Sequence, residues 1–214
     1  MVEFGHILQI LYSNMANKKE RSLVIVKPDG VQRSLIGEVV KRYEQVGLKL
    51  VGIKMIIPTE DQVEAHYMVN PDFKTNVGTK TIESYKKKGE TPPTENPEEQ
   101  GEFVLNGLKK YMVSGPVVVM CWEGLHVIDV VRKITGGTEP RTSDVGTIRG
   151  DYVLDSYQLA DTDNRAVRNL IHASGNLEEA GKEIILWFDE SELIDYRLVQ
   201  EQILYDVNLD GILE

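Results

Sequence analysis

The run PVVVMCW (116–122) is the feature that most constrains the fold. Its seven residues fall far short of the ~18 that a membrane span needs, so the run reads as a buried strand. SLVIV (22–26) is a second apolar, β-branched run, closed by the turn Lys27-Pro28-Asp29-Gly30, and LKLVGIKMII (48–57) alternates like a third strand. Between the last two, Leu35, Ile36, Val39, Val40, Tyr43 and Val46 recur at helical spacing, with Ser34 in the N-cap position and Gly47 at the stop. A short helix is expected over 60–68, and 104–112 returns to helix-like spacing. Val127, Val130, Val131 and Ile134 outline a helix ended by Gly136-Gly137. A fourth strand is expected over 166–172, then a helix over 177–188 with Asn176 as N-cap and Glu179 at N3. This alternation suits split βαβ units. It predicts an α+β fold, a ferredoxin-like βαββαβ sandwich whose four-stranded antiparallel sheet carries helices packed on one face.

From Asp72 to about Glu102 the periodicity fades. KKKGETPPTENPEEQGE holds adjacent prolines, glycines and charges of both signs, which reads as a solvated excursion (74–103) outside the core. The whole chain has 24 Lys and Arg against 34 Asp and Glu, a net charge of −10 that disfavours sequence-independent binding to nucleic acid. An anionic ligand would need its cations concentrated locally. The single cysteine, Cys121, excludes an internal disulfide framework or a cysteine-rich zinc site and fits a reducing compartment. No membrane span or convincing leader is found, so a cytoplasmic location is expected.

The phosphate-loop, dinucleotide and HExxH signatures are missing. Asp206, Asn208, Asp210 and Gly211 imitate half a calcium loop, and 207–214 reads as an acidic tail. Lys27 ends an apolar strand where a phosphate would dock, Arg149 lies between glycines in GTIRGD, and Arg132 flanks an apolar helical stripe. Alone, Lys27 is more simply a surface lysine that ends a strand, and Arg132 an ordinary snorkelling arginine. His172 follows the apolar NLI and precedes small residues that leave its ring reachable. Glu183 stands on the stripe of Ala180 and Trp187, where a carboxylate needs a partner such as a histidine N–H. His66 and His126, read onto helix surfaces, and His6 look ordinary.

Taken in order, VIVKPDGVQR, YMVSGPVVVMCWEG, GTIRGDY and NLIHASGN resemble the nucleoside diphosphate kinase family over 21–73, 104–154 and 167–206. The resemblance implies a homo-oligomer, hexamer or tetramer, that moves the γ-phosphate of a nucleoside triphosphate such as ATP to a diphosphate such as GDP, giving GTP, through a phosphohistidine. On this sequence it implies His172 as nucleophile, Glu183 as the acceptor that fixes its tautomer, and Tyr67 packed beside it. It gives the phosphates to Lys27, Arg132, Arg149 and Thr138, the ribose to Asn169 and Lys27, and an apolar base contact to Leu108. Mg2+ would arrive on the nucleotide, and neither nucleic acid nor membrane is a partner. An unperturbed imidazole, pKa ~6.5, is largely neutral at pH 7 and attacks phosphorus without a separate base. Contacts to phosphate and sugar alone predict broad base specificity.

The chain departs from the family pattern in three places. Gly175 stands where the family usually has Asp, and Val104 or Leu105 where an aromatic stacks on the base. The 74–103 excursion and a second one, DSYQLADTDNRA (155–166), lengthen the segments around the site. The expected organisation is thus an extension (1–20), one kinase-like domain (21–206) and the tail. These departures also motivate a different reading, a catalytically weak nucleotide-binding or phosphohistidine-bearing regulatory module.

Overall fold

The structure, a computed structural model, describes residues 19–205; the calcium-loop imitation and most of the N-terminal extension lie outside the described residues. Strands β1 (Lys19–Val26), β2 (Lys49–Ile56), β3 (Val117–Leu125) and β4 (Ile171–Ala173) form one sheet in the order β2-β3-β1-β4. Every neighbouring pair is antiparallel, with Leu23 opposite Cys121 and Ile25 opposite His172. β1 and β2 therefore run the same way with β3 between them, the split βαβ arrangement expected from the element order.

Helices cover both faces of this sheet, not one. On one side Val24, Val26, Met120 and Trp122 pack against α2 (Ile36–Glu44), which follows the short α1 (Pro28–Gln32), and against α6 (Val127–Thr135). On the other, Leu23, Ile25, Val119 and Cys121 meet Val63 of α3 (Glu60–Tyr67), Met112 of α5 (Pro97–Met112), and Ile184 and Trp187 of α9 (Leu177–Trp187). The cause is in the strands: neither 23–26 nor 117–122 alternates with polar residues, so both faces need cover.

The two excursions are ordered. Within 74–103 the chain forms α4 (Phe73–Lys87), a non-helical connection over 88–96 and the first turns of α5. Asn96 caps α5 by accepting from the Glu98 N–H at 2.9 Å, with Pro97 at the first helical position. The two helices touch through glycine: a Cβ on Gly78 would come within 1.9 Å of the Pro97 carbonyl, and one on Gly101 within 2.1 Å of that of Lys74. The second excursion forms α8 (Tyr157–Thr162), capped by Ser156, after α7 (Ile148–Tyr152). α10 (Glu201–Leu204) ends the described chain.

Two smaller expectations also change. Ser34 has φ +58° and caps nothing; α2 begins after Leu35. Its C-terminal stop is as expected, with Gly47 at φ +88° and the Leu48 N–H reaching the Tyr43 carbonyl at 3.3 Å. The last strand is three residues, not seven, because the chain turns sharply before it. Leu170 has φ +66°, and the Ile171 N–H donates to the Asn169 carbonyl at 2.7 Å, closing a γ-turn.

Candidate active site

The γ-turn delivers His172 onto β4 at the wall of a cavity of about 780 Å³. His172 Nε2 lies 2.9 Å from Glu183 Oε1, across from α9, where Glu183 is 4% exposed. An ionised carboxylate only accepts, so Nε2 carries the proton and Nδ1 is left with a lone pair. The second oxygen, Oε2, accepts from the Ser174 hydroxyl at 2.6 Å, and that hydroxyl in turn accepts from the Leu23 N–H at 3.0 Å. Burial pushes the Glu183 carboxyl pKa up, but the opposing His172 and Ser174 contacts outweigh it and hold the group below its ordinary value. The chain β1, Ser174, Glu183, His172 is a continuous hydrogen-bonded line from the sheet centre to the cavity.

His66 belongs to the same cluster, contrary to its reading as an ordinary surface residue. It is buried, and its ring meets that of His172 edge-on at 4.4 Å. The Trp187 indole N–H donates to its Nδ1 at 3.2 Å. Burial, reinforced by the nearby His172 and only partly opposed by Glu183, lowers its pKa to about 3, so His66 is neutral and its 3.8 Å approach to Glu183 is not an ion pair. His66, His172 and Glu183 offer ligand atoms within 4.8 Å of one another. Those of His66 and His172 are already taken by Trp187 and Glu183, the pattern of a hydrogen-bonded cluster. The helical signal was available: Val63, His66 and Tyr67 lie on one stripe, and Val63 is core.

The phosphate-side candidates line the same cavity. Lys27, 4% exposed at the end of β1, donates from Nζ to Asn169 Oδ1 at 2.7 Å. Asn169 donates from Nδ2 to the Thr138 carbonyl at 3.1 Å, so it joins the Lys27 ammonium to the loop after α6. Arg149, on α7, donates to the backbone carbonyls of Gly136, Gly137, Asn169 and Ile171 at 2.6–3.2 Å. That uses four of its five N–H groups, so Arg149 clamps the γ-turn and keeps one donor free of protein partners. Arg132 and Thr138 are exposed and line the cavity, as does Leu108. Tyr67 packs on His66 at 5.0 Å and on Phe73 at 5.1 Å, and its hydroxyl is buried without a partner among the described residues.

The geometry thus gathers a lone-pair nitrogen and concentrated positive charge around one cavity, the layout of a phosphoryl-transfer site. Known proteins resemble the chain in sequence and fold. A family model described as nucleoside diphosphate kinase matches residues 20–82 and 95–193. A nucleoside diphosphate kinase of Pyrobaculum aerophilum is 41% identical over 180 residues, covering 82% of this chain and 98% of that protein. Nucleoside diphosphate kinase A of Rattus norvegicus is 40% identical over 192 residues, covering 90% and 100%. Among solved structures, an NDP kinase from Pyrobaculum aerophilum superposes with a TM-score of 0.80 at 39% identity, covering 83% of this chain and 100% of that one. A nucleoside-diphosphate kinase from Borrelia burgdorferi, a transition-state mimic with bound vanadate and ADP, does so with a TM-score of 0.71 at 36% identity, covering 86% and 95%.

The His66 to Trp187 bond gives a first prediction. His66→Leu strands a buried indole N–H and should lower unfolding free energy by about 1–3 kcal/mol. In a double-mutant cycle with Trp187→Phe the two losses should be less than additive; strictly additive losses in urea unfolding would show that the pair is not coupled.

Proposed function

The chain belongs to the nucleoside diphosphate kinase family, and from that premise we propose how its residues move a phosphoryl group from a nucleoside triphosphate to a diphosphate. The observation that carries the proposal is the His172 to Glu183 bond at 2.9 Å, which assigns the ring proton to Nε2. The Nδ1 lone pair attacks the γ-phosphorus, the bond from that phosphorus to the bridging oxygen breaks, and the diphosphate leaves. In the return step a terminal oxygen of a second diphosphate attacks the same phosphorus and the P–N bond breaks. The ring becomes cationic as the P–N bond forms, so the fixed Glu183 carboxylate stabilises the transition state more than the neutral ground state.

Lys27, Arg132 and the free N–H of Arg149 balance the charge on the transferring oxygens, with the Thr138 hydroxyl and Tyr67 hydroxyl as further donors. Asn169 contacts the ribose while holding Lys27, and Leu108 lies against the base. The cavity lining is rich in cations, and Asp161 is its one carboxylate among the described residues. Mg2+ would be carried by the nucleotide's own phosphates, where it would neutralise charge. The described residues contain no helix long and apolar enough to cross a membrane. Cys121, buried as a free thiol, supports a cytoplasmic location. Ile53 and Met55, exposed on edge strand β2, and Ile57 just beyond it support a homo-oligomer, hexamer or tetramer.

The test is phosphoenzyme formation. With Mg2+ and γ-labelled ATP the protein should take up an acid-labile, base-stable label that passes to added GDP, and His172→Ala should take up none. Label retained by His172→Ala would overturn the nucleophile assignment; label that forms and never passes on would favour the regulatory module.

A pH prediction follows from Lys27. In the free protein, burial and then the charge of Arg149 lower its pKa to about 7. Phosphate oxygens favour the charged ammonium and raise it again. Above pH 7 binding therefore takes up a proton, and ADP affinity should fall as pH rises, by up to about tenfold per unit. Calorimetry at about pH 8 in buffers of different ionisation enthalpy reads the uptake, which Lys27→Met should remove. The same uptake in wild type and variant would contradict the assignment.

A further inference from the structure

Among the described residues the nearly buried Lys27 ammonium has one hydrogen-bond acceptor, the neutral Asn169 amide oxygen. A buried cation answered only by a neutral group gives up its proton easily. A second answer stands beside it. Lys27 Nζ lies over the ring of Tyr111, 5.4 Å from the ring centre, within the range of a cation–π contact. Tyr111 is in the last turn of α5, and its hydroxyl donates to Asp29 Oδ1 in the first turn of α1, two residues beyond Lys27 itself. Burial and then Asp29 push the phenol pKa up, so the hydroxyl keeps its proton and acts as the donor.

Neither Tyr111 nor Asp29 lines the cavity that holds Lys27, Arg149 and His172; both line a second recess, of about 670 Å³. Their effect on a ligand in the first cavity therefore passes through Lys27. The ring and the carboxylate work in the same direction. The face of the ring is the negative part of its quadrupole and favours the ammonium over the neutral amine. Donation to a carboxylate polarises the phenol and makes that face more electron-rich. Burial and then the charge of Arg149 on α7 disfavour the ammonium, and Asp29 opposes them. His66 of α3, near enough for the Lys27 charge to act on it, is itself neutral. Loss of the Asp29 charge or of the ring therefore makes Lys27 easier to deprotonate.

We propose that Tyr111 and Asp29 are positioning residues, a ring and a carboxylate that together hold the Lys27 ammonium charged and in place at the cavity wall. The inference rests on the kinase reading only for what Lys27 then does, which is to meet the phosphates.

Titration of the Lys27 side chain in the free protein by NMR at Cε, with the resonance assigned by its loss in Lys27→Met, tests the pair directly. The midpoint should fall below that of the wild type in Asp29→Asn, which keeps an acceptor and loses the charge, and in Tyr111→Leu, which loses the ring. Tyr111→Phe keeps the ring and should recover most of the Tyr111→Leu loss. ADP affinity carries the effect to the site. At about pH 7, Asp29→Asn and Tyr111→Leu should bind ADP about threefold to tenfold less tightly than the wild type. At about pH 5.5, where Lys27 is mostly charged in all of them, the gap should close to within about twofold. A Lys27 midpoint unchanged in both variants would overturn the proposal, with an affinity loss equal at the two pH values marking a packing role instead. A midpoint that falls while ADP affinity stays the same would support the pair's hold on Lys27 and fail the placement of the phosphates beside it, so the two readings fail separately.

Discussion

The buried carboxylate of Glu183 is the interaction on which the site depends. A carboxylate at 4% exposure is tolerable only with its charge and lone pairs answered, and here the answers come from His172 on one oxygen and Ser174 on the other. Ser174 is itself held by the Leu23 backbone in the middle of the sheet. The tautomer of His172 is therefore fixed by bonds that trace back to β1, and α9 must sit where it does for Glu183 to reach β4. Trp187, one turn further along α9, holds His66 against the other face of the cluster. Core packing and ring orientation are in this way one arrangement.

Around Lys27 and Arg149 the arrangement is the opposite, charge held against neutral groups, the Asn169 amide oxygen for one and backbone carbonyls for the other. Lys27 and Arg149 are both nearly buried, and each has its pKa pulled down mainly by burial, to about 7 and about 10. Arg149 spends most of its donors on backbone carbonyls, which lets it hold the strained Leu170 turn while adding its charge to the cavity. A bulky residue at positive φ costs of order 1–3 kcal/mol, and the turn it makes brings the Leu170 carbonyl to the Lys27 N–H at 2.8 Å. Strain and buried cations held by neutral groups are concentrated where an anionic ligand would relieve them.

Much of this was legible in the residues. Unbroken apolar runs marked β1 and β3, Asn176 and Glu179 marked the start of α9, and a carboxylate on an apolar stripe pointed to Glu183 and its histidine partner. What was hidden depended on tertiary context. His66 looked like a surface residue because its helix is mixed in character, although its neighbour Val63 is core. The 74–103 stretch looked like a loop because its glycines and prolines are turn formers by composition. Gly78 and Gly101 instead let two helices touch, and Pro97 starts one of them. Strand β4 was drawn too long because local β propensity at Val167 and Leu170 carries no information about a turn clamped by a distant arginine.

The central claim is that Glu183 reserves Nε2 and leaves Nδ1 of His172 as the attacking atom. Long-range proton–nitrogen correlation spectra of the ring in the phosphorylated protein locate the phosphate directly. The account predicts phosphate on Nδ1 with the proton retained on Nε2; phosphate on Nε2 would contradict it.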